Sequence, residues 1–250
     1  MIEVKHLYKA YQDQVVLNDV STVFERGKCN LIIGRSGSGK TVLLKSIAGL
    51  LEVDQGEIWY DDELFSHMKA ADRQPIRQKM GMLFQGAALF DSLTVEENVL
   101  FPLEMLSQLS RAERLERVNF CLQRVRVKEA NERYPSELSG GMKKRVAIAR
   151  AIALNPSYLL CDEPNSGLDP ETAIVIDKLI QEITEEYQMT TIINSHDMNS
   201  VLEIGDKVIF IYKGCLCWEG NRKEVLQSDN EALNQFVFAT NMAKQIKLNK

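Results

Sequence analysis

Residues 34–41 read Gly34-Arg35-Ser36-Gly37-Ser38-Gly39-Lys40-Thr41, and they fill every fixed position of the pattern G-x-x-x-x-G-K-[ST]. The glycines of this pattern allow a tight backbone turn whose N–H groups converge on one point, which suits a bound anion. Lys40 adds a compact positive charge, and the hydroxyl of Thr41 is an oxygen ligand of the kind that Mg²⁺ prefers. The eight residues therefore predict a site for the phosphates of a nucleotide and its Mg²⁺.

The flanking residues predict a strand before this loop and a helix after it. Residues 29–33 form a short, mostly apolar run, and Leu43, Leu44 and Ile47 recur at helical spacing before Gly49. A loop in this place lies at a helix N-terminus, which favours an anion. The alternative, a glycine-rich turn that binds nothing, fits the full match in this context poorly.

A second element of the same chemistry is a hydrophobic run at residues 158–161 that ends in two carboxylates, Asp162 and Glu163. Asp162 is placed to hold Mg²⁺, and Glu163 is placed to polarise a water molecule for attack on a terminal phosphate. A solvated acidic turn is the alternative. The acidic strand end and the phosphate-binding loop together favour an ATPase.

Residues 138–142, Leu-Ser-Gly-Gly-Met, precede a run with helical periodicity. Ser139 is a candidate helix cap, and Gly140 and Gly141 expose backbone donors at the helix start. These features predict a second anion site in a different part of the chain, with a plain helix cap as the alternative. The three cations at residues 143–145 are interpreted as a solvated face.

Taken together, these motifs resemble an ATP-binding-cassette ATPase, and the resemblance covers nearly the whole chain. The Leu-Ser-Gly-Gly sequence at 138–141 is the family signature, and it lies just upstream of the Asp-Glu strand. Gln85 resembles the Q-loop glutamine, and Ser166-Gly167-Leu168-Asp169 resembles the D-loop. His196, at the end of a strand-like run, resembles the switch histidine, and Tyr11 aligns with the aromatic residue that stacks on adenine.

The resemblance implies a role for each matching residue. Glu163 and His196 are the expected catalytic residues, and Mg²⁺ is expected at Thr41, Gln85 and Asp162. The expected ATP-binding residues are Tyr11, Gly34, Arg35, Ser36, Gly37, Ser38, Gly39, Lys40, Thr41, Gln85, Ser139, Gly140, Gly141 and Asp169. Each role has a structural alternative. These alternatives are an exposed glutamine at Gln85, a structural histidine at His196, a half-buried strand tyrosine at Tyr11 and a helix cap at Asp169.

The expected fold is α/β: a P-loop NTPase core of RecA type with an antiparallel β subdomain and an inserted helical (signature) subdomain. We expect one domain over residues 1–250. Residues 1–85 and 155–218 form the nucleotide-binding core with the β subdomain, residues 86–154 the helical subdomain, and residues 219–250 a helical tail. Ser110 and Glu113 are spaced as a capping box within the helical part.

In this family the signature segment of one subunit closes on ATP held by another, so the resemblance implies a homodimer through an ATP sandwich. It also implies integral membrane permease subunits as partners. The stretch from Phe84 to Leu103 resembles the ATPases of Mla/Mce-type phospholipid transport systems, which adds a lipid-binding subunit of Mce type as a candidate partner. Asn165 departs from the family, since a threonine is frequent at that position.

The composition restricts the partners and the cellular location of the protein. The chain has 250 residues, 45% of them hydrophobic, and a formal net charge of -5, which argues against a nucleic-acid partner. No apolar run approaches the ~20 residues needed to span a bilayer, and the N-terminus lacks the apolar core of a signal peptide. We therefore expect a peripheral position on the cytoplasmic side of the inner membrane. Five scattered cysteines without C-x-x-C spacing predict reduced thiols.

Three other functions compete with an envelope lipid-transport ATPase. The first is the ATPase of a small-molecule importer, for methionine or a polar amino acid. The second is a soluble cassette that remodels nucleic acid or ribosomes, which the net acidity opposes. The third is a silent scaffold, against which the intact Lys40, Asp162, Glu163 and His196 argue.

Overall fold

The structure is a computed structural model that describes residues 1–238. The strands are β1 (Ile2–Tyr11), β2 (Gln14–Phe24), β3 (Cys29–Ile33), β4 (Gln55–Tyr60), β5 (Glu63–Leu64), β6 (Met80–Leu83), β7 (Tyr158–Asp162), β8 (Thr190–Ser195), β9 (Lys207–Tyr212) and β10 (Cys215–Gly220). The α-helices are α1 (Lys40–Ile47), α2 (Gln74–Gln78), α3 (Val95–Leu106), α4 (Arg111–Arg124), α5 (Gly140–Ile152), α6 (Pro170–Tyr187), α7 (Met198–Ile204) and α8 (Glu231–Val237).

The larger sheet has the strand order β10-β9-β3-β8-β7-β6 and is parallel except for the antiparallel edge strand β10. Its central strands β3, β7 and β8 are buried throughout, as expected for a parallel sheet covered on both faces. Parallel strands end at one edge of the sheet. The segments that follow β3, β6, β7 and β8 therefore meet there, where open α/β sheets bind their ligands.

The smaller sheet is antiparallel, with the order β2-β1-β4-β5. Its inward side chains, among them Leu7, Leu17 and Phe24, share one hydrophobic cluster with Leu43 and Ile47 of α1. This contact places β2 beside the segment that joins β3 to α1. The strands of residues 1–24 and 55–64 thus form a layer of their own against the nucleotide-loop helix.

Helices α3, α4 and α5 lie between β6 and β7 in the chain. Thr94 and Ser110 start the first two helices, and each forms a capping box with the glutamate three residues later, as the sequence predicts for Ser110. The buried side chains of these helices join the core that covers one face of the larger sheet. This packing fixes the N-terminus of α5, where the Leu-Ser-Gly-Gly sequence lies.

The C-terminal part is only partly helical. Residues 222–227 form turns, and α8 is the one α-helix that the structure describes after Gly220. Residues 239–250, which belong to the expected helical tail, lie outside the described residues. No helix within residues 1–238 is long and apolar enough to cross a membrane. All five cysteines are free thiols, and three of them are buried.

Candidate functional site

The phosphate-binding loop joins β3 to α1, in the strand–loop–helix order that the sequence predicts. Its backbone depends on glycine at two points. Gly39 has φ 108°, and a Cβ there would lie 2.8 Å from the carbonyl oxygen of Val16. Gly34 has φ 151°, and a Cβ there would lie 2.3 Å from the carbonyl oxygen of Ile211. The loop is therefore held between β2 and β9, with Arg35, Ser36 and Gly37 exposed at its tip.

Lys40 is buried at the base of the loop, and its ammonium donates to the carbonyl oxygens of Gly34 at 2.8 Å and Arg35 at 3.1 Å. Burial lowers the pKa of Lys40, and the carboxylates of Glu163 and Asp162 oppose that shift. Ser38 Oγ is also buried, and it has no hydrogen-bond partner among the described residues. A buried hydroxyl without a partner beside a buried ammonium fits the oxygens of a bound phosphate.

Asp162 and Thr41 bring two hard oxygen ligands together. The Thr41 hydroxyl lies 3.4 Å from Asp162 Oδ1, and the same carboxylate oxygen accepts a 3.0 Å hydrogen bond from the side-chain amide of Asn194. Within residues 1–238 no cluster of three or more His, Cys, Asp or Glu side chains could hold a metal alone. Mg²⁺ is commonly held by one or two protein oxygens together with substrate phosphates, so this sparse pair fits Mg²⁺ bound with a nucleotide.

Glu163 lies at the centre of a polar cluster built from three strand ends. Its Oε2 accepts a 3.1 Å hydrogen bond from the side-chain amide of Gln85, and its Oε1 lies 3.2 Å from His196 Nδ1. The same Gln85 amide donates to Ser166 Oγ at 3.2 Å. Glu163 has φ 47°, a left-handed conformation that a non-glycine residue adopts at some cost. Its N–H donates to the carbonyl oxygen of Asn194, which holds the residue in this turn.

Helix α5 fixes the backbone that follows β6. The buried ammonium of Lys144 donates to the carbonyl oxygen of Gln85, and the Arg150 guanidinium donates to the carbonyl oxygens of Ala88 at 2.8 Å and Ala87 at 3.0 Å. The prediction of a solvated face for residues 143–145 is therefore wrong at Lys144, since α5 turns this residue toward Gln85. Burial lowers the pKa of Lys144.

Ser139, Gly140 and Gly141 lie apart from this cluster, at the exposed start of α5. The Ser139 hydroxyl accepts a 3.3 Å hydrogen bond from the N–H of Met142 and so caps the helix. A Cβ on Gly141 would lie 2.8 Å from the Thr172 methyl group, so α5 and α6 start side by side. Within residues 1–238 no hydrogen bond or ion pair links this segment to residues 34–41.

Asp169 and Tyr11 also lie outside the Glu163 cluster. Asp169 caps α6 through a 2.9 Å hydrogen bond from the N–H of Thr172, and this hydrogen bonding lowers the pKa of Asp169. Tyr11 ends β1 as a half-exposed ring, with the Lys9 ammonium 5.3 Å from its centroid. The structure thus shows the helix cap at Asp169. A contact between Tyr11 and an adenine stays a prediction.

Sequence reasoning missed three polar residues of the site: Asn194, Ser166 and Lys144. Asn194 is the one side-chain amide in β8, a fully buried strand, and it stands directly before Ser195 and His196, so its position is a signal that could have found it. The sequence indicates Ser166 only as part of the D-loop motif. Lys144 gives no separate signal, since it stands in a run of three cations.

Comparison with known proteins identifies the family of the chain. Residues 17–166 match the family model described as ABC transporter. The chain is 38% identical over 237 residues to the intermembrane phospholipid transport system ATP-binding protein MlaF of Haemophilus influenzae, with 95% of this chain and 90% of that protein covered. It is 36% identical over 265 residues to the methionine import ATP-binding protein MetN of Campylobacter jejuni, with 100% and 79% covered.

Among solved structures, a dimeric post-hydrolysis state of the ATP-binding cassette MJ0796, bound to ADP and Pi, has a TM-score of 0.81 with this chain. The two are 32% identical, with 89% of this chain and 99% of that chain covered. The range matched by the family model includes the phosphate-binding loop, the Asp162-Glu163 strand end and the signature segment. The chain therefore belongs to the ABC transporter family, as an ATP-hydrolysing subunit with the P-loop NTPase fold.

Proposed function

We propose that this subunit energises phospholipid transport in a cell envelope, as the ATPase of an Mla/Mce-type complex on the cytoplasmic side of the inner membrane. The likeness of residues 84–103 to such ATPases and the 38% identity to MlaF support this proposal. The second candidate is the ATPase of a methionine or other amino-acid importer, which the 36% identity to MetN favours.

The observation that carries the proposed mechanism is the position of Glu163 between Gln85 and His196. In the proposed mechanism, the Glu163 carboxylate orients a water molecule and takes up its proton as the water attacks the terminal phosphate. Gln85 and His196 hold the two carboxylate oxygens in place, and His196 also faces the terminal phosphate. The Lys40 ammonium stabilises negative charge on the phosphates.

Thr41, Asp162 and Gln85 are the proposed residues for Mg²⁺. Bound there, Mg²⁺ would neutralise charge on the phosphate oxygens during transfer. The Thr41 hydroxyl and the Asp162 carboxylate lie close enough to share one cation, whereas Gln85 donates its amide to Glu163 and Ser166. Asn194 holds the Asp162 carboxylate in its orientation.

Permease docking is proposed at an apolar surface that begins just before Gln85. The exposed apolar side chains of this surface are Phe84, Phe90, Phe101, Met105, Leu106 and Leu109. The Phe90 and Phe101 rings are 4.9 Å apart, and the Arg150 guanidinium lies 5.7 Å from the Phe90 ring. Several exposed apolar side chains within residues 84–109, two of them in ring contact, are typical of an interaction site. It adjoins the backbone that positions Gln85, so a docked partner could act on the catalytic cluster.

The experiment that tests the proposed function uses the Glu163→Gln chain, in which an amide of the same shape replaces the carboxylate. The variant is purified from native membranes with Mg-ATP, and the recovered proteins and lipids are identified by mass spectrometry. Recovery of a permease with a membrane-anchored lipid-binding subunit and bound phospholipid is expected. Recovery of a permease with a soluble solute-binding protein would shift the function to small-molecule import, and absence of a membrane partner would contradict both.

A matched pair of variants tests the docking surface in the same experiment. Phe101→Asp, made in the Glu163→Gln chain, puts a charge into the proposed surface and should abolish recovery of the permease. Phe120→Asp puts the same charge at an exposed aromatic residue of α4 and should leave recovery unchanged. Equal recovery with both variants would show that the permease docks elsewhere.

A further inference from the structure

A buried polar cluster of Asn165, Asp177 and Ser200 lies outside the catalytic residues described above. The side-chain amide of Asn165 donates to Asp177 Oδ1 at 2.7 Å and to Ser200 Oγ at 3.2 Å. Asp177 is 2% exposed and Ser200 is 1% exposed. Each residue comes from a different part of the chain: the turn after β7, the second turn of α6, and the start of α7.

Burial of this polar cluster costs folding free energy, so its position requires an explanation. A buried carboxylate loses its hydration, and burial raises the pKa of Asp177 to about 6 although its two hydrogen-bond partners oppose that shift. The acidic groups that face it, Asp197 and Glu203, raise the pKa further, and the buried thiols Cys29 and Cys161 also lie near it. No basic group compensates its charge among these neighbours.

The cluster is linked on each side to a catalytic side chain. Asn165 is two residues after Glu163 and directly precedes Ser166, whose hydroxyl accepts from Gln85. Ser200 is four residues after His196, in a helix that Asp197 caps. The Glu163 turn and the His196 turn therefore meet a third element, α6, at one buried carboxylate.

We propose that Asp177 is a positioning residue that sets the distance between Glu163 and His196, because it holds the Asn165 amide, which also bonds Ser200 and so ties the Glu163 turn to the His196 turn. This proposal rests on the catalytic roles proposed above for Glu163 and His196. A carboxylate suits the task, because it accepts from the Asn165 amide and has further lone pairs that face polar neighbours. Small displacements of catalytic side chains, such as Glu163 and His196 here, lower reaction rates strongly.

A second buried polar pair, formed by Thr184 of α6 and Thr191 of β8, provides the matched control. The Thr184 hydroxyl lies 2.7 Å from the Thr191 hydroxyl and donates to the carbonyl oxygen of Ile180, with Thr184 fully buried. This pair joins α6 to the beginning of β8, at the opposite end of that strand from the catalytic residues. Thr184→Val should lower the thermal unfolding midpoint and leave kcat unchanged.

The test is an exchange of the two cluster partners, read by steady-state ATP hydrolysis of the full chain. Asn165→Asp places two carboxylates against each other, and we expect kcat to fall at least about tenfold with KM for ATP nearly unchanged. Adding Asp177→Asn restores an amide–carboxylate pair with its direction reversed, and kcat should recover to within about threefold of wild type. Failure of that recovery, or loss of thermal stability alone, would overturn the proposal.

The pH profile of Asp177→Asn gives a second readout if Asn165→Asp does not fold. Since the folded pKa is raised, the folded chain takes up a proton near pH 6 that the unfolded chain does not, so wild type should gain thermal stability relative to Asp177→Asn as pH falls through that value. The wild-type kcat should show an inflection there that Asp177→Asn lacks. Identical kcat profiles would overturn the positioning role, whereas full activity of Glu163→Gln would contradict the proposed catalytic mechanism instead.

Discussion

The phosphate-binding loop at residues 34–41 and the signature segment at residues 139–141 are both glycine-rich turns at the start of a helix, yet the chain surrounds them differently. Around the loop lie the buried ammonium of Lys40, the Ser38 hydroxyl without a partner, and the Thr41–Asp162 oxygen pair. At the signature segment, Ser139 only caps its own helix, and Gly140 is exposed. One of the two proposed anion sites is thus nearly complete, and the other has donors but no counterpart within residues 1–238.

This difference supports a shared site between two copies of the chain. The solved relative MJ0796 is dimeric in its state bound to ADP and Pi. For the present chain we propose a head-to-tail dimer, in which ATP lies between the phosphate-binding loop of one protomer and the signature segment of its partner. The following variants separate the contributions of the two segments.

Lys40→Met should have the largest effect, because it removes the one ammonium at the base of the loop while keeping an unbranched side chain. We expect kcat/KM for ATP to fall by at least about a hundredfold, the scale of losing a donor aimed at developing charge. Nucleotide binding by titration calorimetry and turnover should both be lost. ATP binding at wild-type affinity would show that the loop is not the phosphate site.

Gly140→Asp should abolish turnover while leaving ATP binding by the monomer within about twofold, because the new carboxylate repels phosphates only when two protomers meet. The position has room for a side chain, since its nearest neighbour to an added Cβ is a Leu168 methyl group at 3.5 Å. Gly140→Ala is the matched control, and it should hydrolyse ATP. Weaker ATP binding by monomeric Gly140→Asp would place the segment in the site of its own chain.

Mixing the Lys40→Met and Gly140→Asp chains gives the sharpest separation. A mixed dimer has one site with both defects and one site with neither, so a head-to-tail arrangement predicts recovery of roughly a quarter of wild-type turnover. Each chain alone should stay inactive. Absence of recovery would mean that both segments act within one chain.

Thr41→Val should have a smaller effect that is confined to the loop side. The hydroxyl next to Asp162 is lost while the branched shape is kept, so the Mg²⁺ concentration for half-maximal hydrolysis should rise by about tenfold, or ~1.4 kcal/mol. Thr41→Ser should restore the wild-type dependence on Mg²⁺. An unchanged Mg²⁺ dependence in Thr41→Val would remove this residue from the proposed cation site.

The contrast between the two segments also marks what sequence could predict. Local pattern sufficed for the loop between β3 and α1, for the Asp162-Glu163 strand end and for the Ser110 capping box, since each depends on neighbours in the chain. The convergence of Gln85, Glu163 and His196 followed only through family resemblance, because strand order is a property of the folded sheet.

Other features depend on tertiary packing alone. The burial of Lys144 against the Gln85 carbonyl and the Asp177 cluster cannot be predicted from periodicity, because a cation or an acid on a helix is usually solvated. Asn194 is an intermediate case. The sequence reveals that it lies in a strand, but it does not reveal its partner Asp162. Tyr11 is the opposite case. The family resemblance predicts that it stacks on adenine, and the structure shows only a half-exposed ring.

Gly141→Ala should have the smallest effect, on stability, and it tests how the signature segment is held. An added Cβ would lie 2.8 Å from the Thr172 methyl group, so overpacking of about 1–3 kcal/mol opposes a gain in helix propensity of up to about 1 kcal/mol. The unfolding midpoint in urea should therefore fall for Gly141→Ala and not for Gly140→Ala. Thr172→Ser removes the opposing methyl group and keeps the N–H that Asp169 caps, so the double variant should regain the midpoint. Equal stability of the two alanine variants would show that α6 does not hold the signature segment, and the exposed donors of α5 would then lack a fixed position from which to meet a second protomer.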